Sequence, residues 1–257
     1  MKKPRKPVII YDSGIGGLTV LYQFLLKKPR CDVVYFADYQ GAPYGNKPLT
    51  SLRKNLLKNL KILNERFDPQ GIVLACNTAT AVGVGLTRRN FKDKFIIGTE
   101  PAVKPAIVDG QKDILLLATP NTIKYNKLVN DFLTNDKIKL RCEALANLSM
   151  SIEKNVDNLG VIKDELRDIL ARYIGEIDAL VLGCTHYIFL RPIIQEMISS
   201  DIKIYDGNYG VVRQILQKIE PTKDSKLFVV TNDLSKKNQL YNAWELLKKE
   251  GAKICVE

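Results

Sequence analysis

Short apolar runs alternate along the chain with amphipathic segments, and this alternation limits the possible folds more than any other feature of the sequence. The runs are almost entirely apolar, which is typical of strands buried on both sides in a parallel sheet. Strands are predicted at residues 8–11, 33–36, 71–75, 95–98, 113–118, 179–183, 202–205 and 227–230. Because such strands alternate with helical segments, the sequence predicts an α/β fold with mostly parallel sheets.

The segment between the second and third predicted strands has a helical spacing. Its apolar residues recur in steps of three and four, which places them on one face of a helix. These residues are Leu52, Leu56, Leu60, Leu63 and Phe67. A further helix is predicted to begin at Leu18, directly after a glycine-rich turn.

Two distant segments of the chain resemble each other. Residues 72–78 read I-V-L-A-C-N-T and residues 180–186 read L-V-L-G-C-T-H, so Cys76 and Cys184 each follow an apolar strand and a small residue. Buried cysteines at strand ends would also give this pattern, because free cysteine packs well in a core. The repetition favours two similar, pseudo-two-fold related α/β domains, each with a cysteine at the carboxyl end of a strand, where open sheets bind ligands.

The domain boundaries are also predicted. We expect a first α/β domain of residues 1–97 plus 208–257 and a second of residues 98–207, with the active site between them. The chain would then cross twice between the domains, so that its two ends belong to the same one.

Composition restricts the class of protein. Apolar residues make up 46% and charged residues 26% of 257 residues, as in ordered globular proteins. The five cysteines are widely spaced and odd in number, which argues against a disulfide framework. The single histidine, His186, leaves too few ligands for a zinc site, so no metal is expected. No run reaches the roughly 18 apolar residues of a membrane span, and the stretch 8–11 is too short for a signal-peptide core, so a cytoplasmic protein is expected.

The formal net charge of +11 leaves two kinds of partner open. A basic surface can bind nucleic acid, or it can attract small anionic substrates. The lysines are spread along the chain rather than clustered, which favours a solvated basic face over a nucleic-acid site.

Three polar segments are candidates for binding and chemistry. Residues 12–17 (D-S-G-I-G-G) follow the first strand, and backbone N–H groups at the start of the next helix can hold an anion there. The pattern is neither a dinucleotide fingerprint nor a P-loop, and a carboxylate fits it equally well. Residues 42–45 (A-P-Y-G) form either an ordinary turn or a loop that covers a ligand. Cys184 lies two residues before His186, which invites acid–base or nucleophilic chemistry.

Taken together, these segments resemble the glutamate racemase family of the aspartate/glutamate racemase superfamily. The D-S-G start is similar to the glutamate branch rather than the aspartate branch. The matching segments are DSGIGGLTVL at 12–21, APYG at 42–45, ACNTAT at 75–80, GTEPA at 98–102, ATPNTI at 118–123 and LGCTHY at 182–187.

The resemblance implies a role for individual residues. Cys76 and Cys184 would be the catalytic bases, assisted by Asp12 and His186 respectively, with Glu153 near the histidine. The implied substrate-binding residues are Asp12, Ser13, Tyr44, Gly45, Asn77, Thr78, Thr122, Thr185 and His186. The resemblance also implies a homodimer that needs no cofactor and supplies D-glutamate for peptidoglycan.

The sequence departs from the family pattern at a small number of positions. Ile188 replaces a usual proline, Ala118 and Asn121 alter a small-residue pattern, and residues 206–209 (D-G-N-Y) replace an aspartate–serine helix start. Because these departures affect the pocket, other functions stay open. They are another racemase or a decarboxylase of the superfamily, and a non-catalytic protein associated with nucleic acid.

Overall fold

The computed structural model describes residues 4–135, 137–222 and 225–255, and its strands form two separate parallel sheets. The strands are β1 (Val8–Asp12), β2 (Val33–Ala37), β3 (Gly71–Leu74), β4 (Phe95–Gly98), β5 (Asp113–Ala118), β6 (Lys139–Ala144), β7 (Ala179–Leu182), β8 (Lys203–Asp206) and β9 (Leu227–Thr231). The first sheet has the spatial order β4-β3-β1-β2-β9 and the second the order β6-β5-β7-β8.

Helices connect the strands and cover the sheets. They are α1 (Leu18–Leu26), α2 (Leu49–Phe67), α3 (Asn77–Asn90), α4 (Val103–Val108), α5 (Pro120–Tyr125), α6 (Lys127–Leu133), α7 (Leu148–Lys154), α8 (Lys163–Leu170), α9 (Arg191–Gln195), α10 (Asn208–Leu216) and α11 (Lys237–Ile254). Short 3₁₀ helices lie at Leu159–Ile162, Thr185–Leu190 and Leu234–Lys236. Within the described parts of the chain, none of these helices is both long and apolar enough to cross a membrane.

The two sheets repeat one strand order. The four strands of the first half lie side by side in the order β4-β3-β1-β2. The four strands of the second half lie in the corresponding order β8-β7-β5-β6, and β9 extends the first sheet beyond β2. All neighbouring strands are parallel. The predicted α/β fold with two similar parallel-sheet halves is therefore confirmed.

This strand order also places a ligand crevice in each half. In an open parallel sheet, a crevice forms at the carboxyl ends of two neighbouring strands when the connections that follow them run in opposite directions. The crevice of the first half lies between β1 and β3, and that of the second half lies between β5 and β7. Because β3 precedes Cys76 and β7 precedes Cys184, both cysteines lie at such a crevice.

The chain passes from the first sheet to the second after Gly98 and leaves the second sheet after Asp206. On its return, Asn208 at the start of α10 donates a hydrogen bond of 3.0 Å to the Thr19 hydroxyl in α1. The assignment of residues 1–97 plus 208–257 to one domain and 98–207 to the other stays a prediction, consistent with these two crossings.

The predicted strands agree with the observed ones to within one residue at each end. The predicted start of α1 at Leu18 and the apolar stripe of α2 are also confirmed, since Leu52, Leu56 and Leu60 are almost fully buried. Strand β6 was missed. It lies at a sheet edge and its side chains are only partly buried, so its sequence KLRCEA lacks the continuous apolar character of the inner strands.

Candidate active site

A cavity of about 230 Å³ lies where the carboxyl ends of the two sheets meet. Its wall includes both cysteines, so Cys76 from the first half and Cys184 from the second face one space. The other lining residues are Ser13, Tyr39, Ala42, Pro43, Tyr44, Gly45, Thr78, Thr119, Ser149, Met150, Glu153, Lys154, His186, Lys236 and Gln239. A concave site with convergent polar groups is the usual form of a small-molecule pocket.

Cys76 forms the N-cap of α3. Its sulfur accepts a hydrogen bond of 3.4 Å from the backbone N–H of Ala79, and the Ser13 hydroxyl donates to it over 3.8 Å. Burial raises the pKa of the Cys76 thiol well above its usual value, and the nearby negative charge of Asp12 raises it further. At neutral pH, Cys76 is therefore a thiol rather than a thiolate in this environment.

Cys184 has a different neighbour. Its sulfur lies 3.9 Å from Nδ1 of His186, and Nε2 of the same ring lies 2.7 Å from the Glu153 carboxylate. Burial opposes protonation of His186, but hydrogen bonds to Cys184 and Glu153 outweigh it and raise the histidine pKa well above its ordinary value. The imidazole is thus protonated near neutral pH, and its positive charge stabilises negative charge on the adjacent sulfur.

Glu153 ties the second half of the molecule to the loop after β1. Its Oε1 accepts hydrogen bonds of 2.7 Å from both the Ile15 backbone N–H and His186, while Oε2 accepts one of 3.2 Å from the Tyr39 hydroxyl. Position 14 must be glycine for this approach, because a Cβ there would lie 1.8 Å from Glu153 Oε1. The glycine-rich turn thus serves close contact with a carboxylate side chain.

Asp12 is fully buried beneath this turn. It accepts hydrogen bonds from the Gly14 backbone N–H (2.9 Å) and from the Thr185 hydroxyl (3.2 Å), so it also joins the two halves. Burial raises the pKa of Asp12, and the charge of His186 partly opposes this rise. Asp12 affects Cys76 through its charge, and Ser13 is the residue that contacts the thiol.

Three threonine hydroxyls form a cluster between the halves. The Thr78 Oγ1 lies 2.8 Å from that of Thr119 and 3.3 Å from that of Thr122, and the latter two are 2.8 Å apart. Thr119 is also the N-cap of α5. Thr78 and Thr119 line the cavity, and their hydroxyls bond to each other.

Tyr44 belongs to a buried polar network centred on the fully buried Asp38. The Tyr11 and Tyr44 hydroxyls both donate to the Asp38 carboxylate, as do the side-chain amides of Asn55 and Asn232. Burial, followed by the charges of its neighbours, raises the pKa of Tyr44, so the residue stays a neutral phenol. The network fixes Tyr44 in the cavity wall.

The structure brings most of the predicted site residues to the cavity wall, namely Ser13, Tyr44, Gly45, Cys76, Thr78, Glu153, Cys184 and His186. The side chains of four others bond to neighbouring protein groups: Asp12 to Gly14, Asn77 to the Thr99 carbonyl, Thr122 to Thr119 and Thr185 to Asp12. Contact of these four with a ligand stays a prediction.

Sequence reasoning missed several wall residues, including Tyr39, Lys154, Lys236 and Gln239. Lys236 and Gln239 follow β9, which pairs in parallel with β2 and therefore ends at the same edge of the sheet as the loop after β2. The sequence did predict the strand at 227–230, and residues that follow two neighbouring parallel strands lie at the same edge of the sheet. Its position next to β2 was the missing information.

Within the described ranges, no group of three or more His, Cys, Asp or Glu side chains is arranged to hold a metal ion. The cavity instead offers two thiols, an imidazole–carboxylate pair and several hydroxyls. The fold and the site together define a class of α/β protein in which each half places one thiol in a shared cavity, an arrangement suited to proton transfer at two faces of a ligand.

Comparisons with known proteins identify the family within this class. The sequence profile described as Asp/Glu/Hydantoin racemase matches residues 38–215. A glutamate racemase from Clostridium novyi is 33% identical over 251 residues, which cover 95% of each chain. One from Halothermothrix orenii is 37% identical over 211 residues, covering 80% of this chain and 82% of the relative. The chain therefore belongs to the glutamate racemase family, a family of isomerases, and the resemblance drawn from its motifs is confirmed.

Solved structures agree with this assignment. The Escherichia coli glutamate racemase, solved in complex with L-glutamate and the activator UDP-MurNAc-Ala, superposes on this chain with a TM-score of 0.79 at 26% sequence identity. The match covers 96% of this chain and 95% of the Escherichia coli chain. The Francisella tularensis glutamate racemase, in complex with D-glutamate, has a TM-score of 0.80 at 23% identity and matches 94% of each chain. The second likeness shows the shared fold.

Proposed function

We propose that this protein interconverts L- and D-glutamate without a cofactor, using Cys76 and Cys184 as the two bases. The observation that carries the proposal is that the two thiols come from equivalent strand ends of two repeated halves and line one cavity. Enantiomers differ in the face of the α-carbon that bears the proton. Two thiols supplied by two halves meet this need better than a single base.

The proposed reaction removes one proton from the α-carbon of the substrate and adds another to its opposite face. The thiolate of one cysteine takes the α-proton and becomes a thiol, which leaves the electron pair on the substrate as a carbanion delocalised into its carboxylate. The thiol of the other cysteine then donates its proton to the opposite face and becomes a thiolate. The net result is inversion of the α-carbon, and the next turnover starts from the opposite protonation state.

Each thiol has its own means of reaching the thiolate state. At Cys184, the neighbouring His186 carries positive charge that the Glu153 carboxylate supports. At Cys76, the positive α-ammonium group of the incoming amino acid would counteract the burial and the Asp12 charge that keep the thiol protonated. Ionisation of Cys76 would therefore follow substrate binding.

The cavity also supports the charge that develops on the substrate carboxylate. Cys76 sits at the N-terminus of the 14-residue helix α3, whose dipole favours negative charge there. The hydroxyl-bearing residues Ser13, Thr78 and Thr119 line the same cavity, where their O–H groups can exchange their present partners for the substrate carboxylate. Donors aimed at developing charge in a water-excluded site are a major source of rate acceleration.

Glutamate is the proposed substrate for two reasons. The curated relatives that align over most of this chain are glutamate racemases, and the Escherichia coli relative was solved with L-glutamate. A pocket whose donors pair with a side-chain carboxylate at one distance leaves those donors unpaired when the shorter aspartate binds, which disfavours aspartate.

We further propose that the protein is a cytoplasmic homodimer that supplies D-glutamate for peptidoglycan.

The test is racemisation by the purified protein, followed with chiral chromatography, for L- and D-glutamate and for L- and D-aspartate. The proposal expects interconversion of glutamate in both directions, with solvent deuterium entering the α-position and aspartate turned over far more slowly. Absence of glutamate turnover, or comparable turnover of aspartate, would refute it.

A further inference from the structure

One loop of the cavity wall is held by the opposite half of the molecule. This loop, residues 41–48, connects β2 with α2 in the first half and contributes Tyr44 and Gly45 to the wall. The side-chain amide of Asn121, in the first turn of α5 in the second half, donates hydrogen bonds of 2.9 Å to the carbonyls of both Tyr44 and Lys47. The Asn121 backbone N–H donates a third, of 2.8 Å, to the Gly45 carbonyl.

The contact is buried and close. Asn121 is 7% exposed and Tyr44 is 3% exposed, so their hydrogen bonds are shielded from water. A Cβ at position 45 would lie 3.1 Å from that of Thr119, which shows how near the loop backbone runs to α5. If the Asn121 amide were lost, the buried Tyr44 carbonyl and the part-buried Lys47 carbonyl would each lose a donor, and unpaired buried acceptors are costly.

Asn121 is not accounted for by the chemistry proposed above. It lies between Thr119 and Thr122, whose hydroxyls join the cluster with Thr78, but its own side chain points to the loop backbone. A smaller side chain such as alanine at position 121 could not make the two amide bonds.

We propose that Asn121 is a positioning residue that fixes the 41–48 loop to the second half, so that the wall formed by Tyr44 and Gly45 exists before substrate binds. The proposal rests on the proposed function for the identity of the substrate. A pre-formed wall favours binding because the loop does not have to be ordered at that moment.

The kinetic test compares Asn121→Ala with Asn130→Ala. Asn130 is an exposed asparagine of α6 whose amide bonds to the Lys124 carbonyl and does not reach the loop. We expect Asn121→Ala to raise KM for both enantiomers about tenfold while kcat changes about threefold or less, because uniform binding is lost rather than chemistry. Asn130→Ala should leave both constants unchanged. Asn121→Asp should raise KM further, because it places a carboxylate beside two carbonyl oxygens.

A second measurement does not depend on glutamate. Alkylation of Cys76 by iodoacetamide, followed by peptide mass spectrometry with the half-buried Cys142 as an internal reference, reports how well the wall closes the cavity. We expect faster labelling of Cys76 in Asn121→Ala and an unchanged rate in Asn130→Ala. If the protein does not racemise glutamate, the proposed function fails and this labelling rate alone decides the role of Asn121.

The outcome that overturns the proposal is a folded Asn121→Ala protein with KM and the Cys76 labelling rate both within twofold of the wild type. Thermal unfolding identifies whether each variant is folded. If Asn121→Ala does not fold, Asn121→Ser replaces it, since serine has a single short O–H donor and cannot bond both loop carbonyls. The same criteria then apply to that variant.

Discussion

At the scale of single residues, His186 is the group whose charge the structure defines most clearly. Its ring is buried, contacts the Cys184 sulfur through Nδ1 and bonds to Glu153 through Nε2. Because it is the only histidine of the chain, its titration can be followed by NMR without assignment ambiguity. The residue is therefore a direct probe of how the site sets its protonation state.

We predict that Glu153→Gln lowers the pKa of His186 toward the ordinary value near 6.5, because the neutral amide no longer supports the imidazolium. Turnover that needs charged His186 should then be lost at a lower pH than in the wild type. NMR titration of the ring and a pH profile of kcat measure the two effects. Glu143→Gln is the control, since Glu143 bonds to Tyr173 and Arg172 instead. An unchanged histidine pKa in Glu153→Gln would contradict the electrostatic role of Glu153.

The same pKa shift makes a stability prediction. A histidine whose pKa is raised on folding stabilises the folded protein fully below its unfolded pKa, near 6.5. That stabilisation disappears as the pH rises through the folded pKa. The free energy of unfolding of the wild type should therefore decline over this range relative to Glu153→Gln, in which the histidine shift is smaller.

At the scale of secondary-structure elements, the position of Cys76 depends on how α3 packs. The buried face of α2 supports α3 closely, since a Cβ at Gly83 of α3 would lie 2.3 Å from Leu56 of α2. Leu56 is fully buried, whereas Ile62 of the same helix is 50% exposed. The apolar stripe that was visible in the sequence thus supports the helix whose N-terminus carries the proposed catalytic thiol, Cys76.

Leu56→Ala should lower the free energy of unfolding by about 2–5 kcal/mol, because it removes buried methyl groups and leaves a cavity. Ile62→Ala should change it by about 0.5 kcal/mol or less, as for most exposed positions. Urea unfolding at equilibrium measures both values. Equal effects of the two substitutions would show that this face of α2 does not form the core described here.

Elements also show why some features could be predicted from the sequence and others could not. The inner strands β1, β3, β5 and β7 are continuous apolar runs, and the sequence predicts them. The edge strand β6 has no such apolar run, so the sequence does not predict it. Site residues that lie within motifs, such as Cys76 and His186, were found together. Lys236, Tyr39 and the Asn121 contact depend on which strands and helices become neighbours, and local sequence does not contain that information.

At the scale of the whole molecule, the basic charge has a specific place at the cavity. Lys154 from the second half and Lys236 from the end of the first both line it, and Lys154 is exposed. The other described lining residues include no lysine or arginine. The two lysines thus place positive charge in the cavity wall, and the rest of the +11 charge is spread over the surface.

We predict that the double variant Lys154→Gln/Lys236→Gln raises KM for glutamate roughly three- to tenfold at low salt, because local attraction of the anion is lost. The difference from the wild type should shrink as salt rises, since exposed charges are screened. Steady-state kinetics at several ionic strengths measure both effects. The control is Lys58→Gln/Lys61→Gln, which removes the same charge from the exposed face of α2. An equal effect of the control would assign the attraction to net charge alone.

The central claim is that two halves each contribute one base. From the family resemblance we predict that Cys76 removes the proton of D-glutamate and that Cys184 removes that of L-glutamate. Serine in either position replaces the thiol with a hydroxyl that forms an anion far less readily near neutral pH. Racemisation needs both thiols, so Cys76→Ser and Cys184→Ser should each abolish it. Elimination from an analogue with a leaving group on the β-carbon needs only the first deprotonation, and one thiol suffices for it.

The most direct test therefore measures elimination from the L- and D-configured forms of such an analogue by the two single variants. The account predicts that Cys76→Ser processes the L form and not the D form, and that Cys184→Ser processes the D form and not the L form. If either variant still racemises glutamate at a rate near that of the wild type, or processes both forms of the analogue equally, the two cysteines do not serve as separate bases.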